Sequence, residues 1–189
     1  MTVEEIFSRL MAHMKKGLEV HDQFTIIFKY LNLRGYSKCQ EYHYFEENIG
    51  YCRLRNFYLQ HYNKIIAFEN KMDNVDLIPS TWLKYERMAV DTSTKRTAIR
   101  DIFKKWVDWE TETKLLYESS YKELYNLGEI AAALEVGRFV TDVSQELVRA
   151  REKLMDLESY GYDIVEIIDE QERLYNLYVE KIKNIFEDD

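Results

Sequence analysis

The sequence predicts an all-α protein: four long helices in two antiparallel pairs, joined by one long crossover, with a fifth helix at the C-terminal end. Three observations carry this. Apolar residues recur at a helical period of about 3.6 in five successive segments. The chain of 189 residues has one proline, Pro79, and six glycines, so helix breakers are scarce. No segment shows the period-two alternation of a half-buried strand. At this length one domain, 1–189, is expected.

The first helix should run over about 2–33, stopping before Gly35. Phe7, Leu10, Met14, Gly17, His21, Phe24, Phe28 and Leu31 form its inward stripe. The second should run over about 37–71, with Tyr44, Tyr51, Tyr58, Leu59, Tyr62, Ile65 and Ile66 on one face. The periodicity then lapses over 73–94, which holds Pro79 and the Ser80–Thr81 pair. The run Asp91–Thr94 is rich in N-cap residues and opens a third helix, about 95–127. Gly128 separates it from a fourth, about 129–160, whose apolar face holds Phe139, Val140, Val143, Leu147, Ala150, Leu154 and Leu157. Gly161 ends that helix, and 162–186 forms a strongly amphipathic fifth. The turns near Gly35 and Gly128 are short, so each should join antiparallel neighbours. A linker of about 20 residues is long for a compact domain and can run the length of a bundle. Two hairpins joined in this way match a known bundle topology with one long crossover.

Composition narrows the function. Hydrophobic residues make up 46% and charged residues 32%, a globular balance. The net charge of −8 argues against a nucleic-acid partner. No apolar run approaches the roughly 20 residues that span a bilayer, and the N-terminus lacks signal-peptide order. No membrane partner and a cytoplasmic location are therefore expected. Cys39 and Cys52 fit neither a zinc pattern nor a disulfide framework. No phosphate loop, nucleophile–base motif or dinucleotide fingerprint occurs, so no catalytic residue is assigned. The 15 tyrosines fall largely at core-facing positions.

One carboxylate stands in the wrong place. Ile99, Ile102, Phe103, Trp106, Thr113, Tyr117, Tyr121 and Leu124 share one face of the third helix, and Glu110 lies near the centre of that stripe. A buried carboxylate needs a metal, a cation or a proton. On the second helix, Arg55 phases with Tyr44, Tyr51, Leu59 and Tyr62, toward the core. Arginine stays protonated and cannot ligate a metal, but it pairs bidentately with carboxylates. Arg55 and Glu110 are therefore expected in one interior layer. Of the remaining candidates, His21 lies on the first helix's stripe and Glu47 near the core edge of the second. His43 and Glu46 stand in the order His-x-x-Glu, but Glu46 phases with Arg53 and Lys64 on the charged face, so it reads as solvated.

Several of these residues resemble one family. Tyr30–Lys38 resembles the bend between the first two helices of bacterial ferritins. Ile78-Pro79 sits where their crossover often carries an apolar residue and a proline. Trp109–Glu112 resembles the third-helix segment that supplies a metal-binding glutamate, and Phe139–Glu146 the acidic fourth-helix segment. Gly161-Tyr162 resembles the turn into their fifth helix. The chain thus resembles the ferritin-like superfamily over nearly its whole length.

The resemblance implies a di-iron centre built from glutamates and a Glu-x-x-His on the second helix. Glu110 matches the third-helix ligand, Glu146 a fourth-helix ligand. Leu18–Val20 looks like the segment supplying the first glutamate, although periodicity turns His21 inward rather than Glu19. The second helix departs from the pattern. No Glu-x-x-His exists, and Cys52 and Arg55 occupy those positions. The expectation is a ferritin-like bundle with a degenerate metal site and no cofactor, acting as a binding or assembly module, with Arg55 supplying the charge that a ferritin takes from iron. The alternative is an iron or manganese protein whose ligands come from Glu110, Glu146, His21 and Glu47. A tyrosine-lined pocket for a small molecule is a weaker third reading. A homo-oligomer is left open.

Overall fold

A computed structural model describes residues 1–66 and 91–187 of the chain. Five helices follow in order: α1 (Val3–Tyr30), α2 (Arg34–Tyr62), α3 (Thr92–Asn126), α4 (Ile130–Ser159) and α5 (Ile164–Glu187). Among the described residues no strand occurs, and no helix is long and apolar enough to cross a membrane. α2 stops at Tyr62, short of the expected 71: Asn63 takes φ 52° and residues 63–66 are not helical, while 67–71 and most of the expected crossover, with Pro79 and Ser80–Thr81, lie outside the described residues.

Local chemistry sets the helix ends. Thr2 and Glu5 form a reciprocal capping box: the Glu5 N–H donates to Thr2 Oγ1 at 3.2 Å, and the Thr2 N–H to Glu5 Oε2 at 2.7 Å. Asn32, at φ 59°, closes α1. The Asn32 N–H donates to the Lys29 carbonyl at 3.1 Å and the Leu33 N–H to the Phe28 carbonyl at 2.8 Å. The turn is thus made by Asn32, not at Gly35, which lies inside α2. Asp91 caps α3 by accepting the Thr94 N–H at 3.0 Å, so the helix starts at Thr92, three residues before the start read from periodicity. Gly128 at φ 80° and Gly161 at φ 58° close α3 and α4 with the same pair of backbone bonds that closes α1.

The described residues fall into two compact units. The first comprises 1–16, 48–66 and 103–154. Its core joins Phe7, Leu10, Met11 and Met14 to Leu54, Tyr58, Tyr117, Leu124, Val136, Phe139 and Val143. Phe7 anchors an aromatic group, with its ring centroid 4.9 Å from that of Tyr58 and 6.0 Å from that of Tyr62.

The second unit comprises 17–47, 91–102 and 155–187. Phe24, Ile27, Phe28 and Leu31 are buried there, as are Ile99, Leu157, Ile167 and Leu174. Gly35 is needed for contact rather than for a turn. A Cβ at that position would sit 2.5 Å from the Gln171 carbonyl oxygen and 2.9 Å from Leu174 Cβ. With α5 that close, Gln171 Oε1 accepts the Tyr36 N–H at 3.1 Å, one of the N-terminal donors of α2 that has no helical partner. The Tyr36 hydroxyl donates to Glu170 at 3.1 Å, and burial followed by the Glu170 charge pushes its pKa up.

Candidate functional site

Each unit holds its own buried polar group. In the first, Glu110 is fully buried, as its place in the α3 stripe predicts. One turn earlier on the same helix, Trp106 donates its indole N–H to Glu110 Oε1 at 2.8 Å. The i, i+4 spacing of Trp106 and Glu110 is the sequence signal for that donor, which the apolar periodicity by itself does not name. His13 on α1 bonds Thr113 of α3 through Nε2 at 2.8 Å and lies flat on the Trp109 ring, centroids 4.4 Å apart and planes at 4°. Burial, aided by the Lys16 charge, lowers the His13 pKa to about 4. The Trp109 ring covers one face of the His13 imidazole and shields it from water.

Arg55 does not join this group. It is exposed, with its guanidinium carbon 5.7 Å from the centre of the Tyr51 ring. The inward positions on α2 include Tyr36, Gln40, His43, Tyr51, Leu54 and Tyr58. Leu54 holds the place expected of Arg55, and one residue is a rotation of about 100°. Tyr44 and Leu59, which set the expected phase, are half-buried and exposed. Cys52 is half-buried. Other ion pairs serve the first unit: Arg9 with Glu123 at 3.2 Å, and Arg53 with Glu135 at 2.7 Å.

In the second unit His21 is buried, as expected. Its Nδ1 bonds Gln40 Oε1 at 2.8 Å, and its backbone carbonyl accepts the Thr25 hydroxyl at 2.8 Å. The His21 ring lies against that of His43, centroids 5.5 Å apart. Burial first, then His43, lowers the His21 pKa to about 3. His43 is itself buried, and its Nδ1 is 3.3 Å from Glu46 Oε2. Glu46 is half-buried, not solvated. Burial raises the pKa of its carboxyl, but His43, Tyr42 and Lys181 outweigh it and the net shift is downward. The sequence pairing His43-x-x-Glu46 thus marks a real juxtaposition, read as a surface feature because the phase of α2 was one position off.

Of the four expected ligands, Glu110 and Glu146 belong to the first unit and His21 and Glu47 to the second. Glu47 and Glu146 are half-buried. Glu19, the alternative to His21, is also half-buried.

This element order and packing define an all-α ferritin-like bundle with a C-terminal helix. Similar solved structures are archaeal ferritins. An engineered closed form of the Archaeoglobus fulgidus ferritin gives a TM-score of 0.73 at 12% identity, over 93% of this chain and 96% of that one. The open-pore ferritin of the same hyperthermophilic archaeon gives 0.71 at 12% identity, over 90% and 93%. A humanized archaeal ferritin gives 0.74 at 12% identity, over 93% and 97%. At such identity the likeness is one of fold. No family model matches the sequence, nor does any curated protein.

Proposed function

We propose that this ferritin-like chain acts as a binding or assembly module, self-associating as a homo-oligomer, and does not run the two-iron oxidation chemistry of ferritins. The observation that carries the reading is how the interior polar groups are engaged within their own units. Glu110 accepts the Trp106 N–H, His13 bonds Thr113, and His21 bonds Gln40. The Trp106, Thr113 and Gln40 side chains are neutral protein partners. A pair of irons needs several converging carboxylates and imidazoles. The donor set does not fit that need: the sequence has no Glu-x-x-His, and the positions that resemble it hold Cys52 and an exposed Arg55.

One observation favours a second reading. His43 and Glu46 bring an imidazole nitrogen and a carboxylate oxygen within 3.3 Å on one face of α2. Such a pair suits one iron or manganese ion in a remodelled site.

Anaerobic titration of the metal-free chain with ferrous iron, followed by air, tests both. The first reading expects no two-iron stoichiometry and no rapid oxygen consumption. Two irons per chain with fast oxygen uptake, lost in Glu110→Ala, would overturn it. A single ion lost in His43→Ala establishes the second reading.

A further inference from the structure

The outer face of α4 carries a pattern that the core does not use. Ile130, Leu134, Val148 and Met155 are exposed there, each by about half or more. A shallow groove runs along the same face, lined by Val140, Thr141, Ser144, Gln145, Val148 and Arg149. At about 100° per residue, Leu134, Thr141 and Val148 fall on one side of Gln145, while Asp142 and Arg149 fall on the other. Arg138 and Glu152 lie near the midline between them. All are exposed. Arg138 touches Glu135 at 3.1 Å, yet its side chain stays 69% exposed and can reach outward.

The order of these residues is self-complementary under reversal. In an antiparallel pair of α4 helices centred on Gln145, a residue seven before the centre faces one seven after it. Arg138 then meets Glu152 of the second copy, and Glu152 meets its Arg138. Asp142 and Arg149 stand three before and four after the centre, so they meet within one residue, or about 1.5 Å of rise. Leu134 and Met155, eleven before and ten after, meet likewise. Thr141 and Val148 do the same. The apolar residues therefore close one seam, and the Asp142–Arg149 pairs flank the other. A parallel pair would set Arg138 beside Arg138 and Glu152 beside Glu152. Like charges facing each other in this way disfavour that orientation.

We infer that the outer face of α4 is an interface between two copies of this chain, packed antiparallel about a two-fold axis at Gln145. This names the partner for the assembly role proposed above and rests on that reading for its purpose. The metal titration and the experiment below can fail separately.

Sedimentation equilibrium over a range of concentrations tests it, with circular dichroism to verify folding. The wild-type chain should dimerise. Arg138→Glu places two acids together at both ends of the seam and should weaken dimerisation about tenfold or more. Adding Glu152→Arg reverses both pairs and should restore wild-type affinity. Leu134→Lys, also on the exposed face, should weaken the dimer and not be rescued by that charge reversal. A chain that stays monomeric overturns the inference. So does an assembly of any size that ignores Arg138→Glu and Leu134→Lys, or a charge reversal that fails to restore pairing.

Discussion

The two units pack histidine in different company, half-buried in the first and buried in the second, and the company decides what each polar group can do. In the first, His13 lies flat on Trp109 and bonds a threonine, while the neighbouring stripe position Glu110 is held by the indole of its own helix. The carboxylate is fully buried and accepts from that neutral donor. In the second, His21 lies against another imidazole, and that imidazole touches a carboxylate that is one-third exposed. Both arrangements keep a histidine uncharged through burial. Only the second keeps a partly solvated acid beside it, where charge can change at lower cost.

The largest expected effect is that of pH, and it should strike both units. The pKa of His13 falls to about 4 and that of His21 to about 3, from ordinary values near 6.5. Below about pH 6.5 the unfolded chain binds a proton at each site that the folded chain refuses. Stability therefore falls as pH drops, by about 1.4 kcal/mol per pH unit for each histidine. The loss levels off near pH 4 for His13 and near pH 3 for His21. Urea melts at pH 7, 6 and 5 should show this steep decline. His13→Gln and His21→Gln should each flatten it by about half. Equal stability at pH 7 and pH 5 would refute the buried, neutral assignment.

A smaller effect should separate the units. Trp106→Phe keeps most of the packing but removes the donor to Glu110. A hydrogen bond to a carboxylate that carries its charge is worth about 1.5–3 kcal/mol. Gln40→Leu in the second unit removes a neutral partner from His21, and about 1 kcal/mol is expected. Denaturant midpoints at pH 7 give both values. If Gln40→Leu costs more than Trp106→Phe, the buried carboxylate is not the more dependent group, and the contrast drawn between the units fails.

How much of this was legible in the sequence differs by helix. On α1 every stripe residue from Phe7 to Leu31 is buried, and His21 with them, because phenylalanine, leucine and methionine alternate sharply with charge. Glu110 was legible for the same reason: Ile102, Phe103 and Trp106 fix the phase of α3. On α2 the contrast is blurred. Tyrosines lie on several sides of that helix, and a tyrosine can be half-buried with its hydroxyl in water, so it marks phase poorly. The error of one position turned Arg55 inward and hid His43, which shares the buried face with Gln40 and Tyr51. Gly35 was misread for another reason. A glycine near a turn suggests the turn itself, whereas here it admits the α5 backbone, a long-range contact that no local pattern encodes.

The smallest expected effect is at Arg55, and it decides the phase of α2. An inward Arg55 paired with Glu110 would cost about 3–5 kcal/mol on truncation, because the carboxylate would be left as a buried charge without its cation. Among the described residues the exposed Arg55 makes the edge of a cation–π contact, at 5.7 Å from the Tyr51 ring. Surface changes of that kind usually fall within about 0.5 kcal/mol. Arg55→Ala should therefore melt almost as the wild type does, while Leu54→Ala, one residue earlier and fully buried, should lose about 2–5 kcal/mol through the cavity it leaves. The two neighbours read the same turn of helix from faces about 100° apart. If Arg55→Ala is the more damaging of the pair, α2 is rotated from the orientation described here. Glu110 would then regain arginine as its partner.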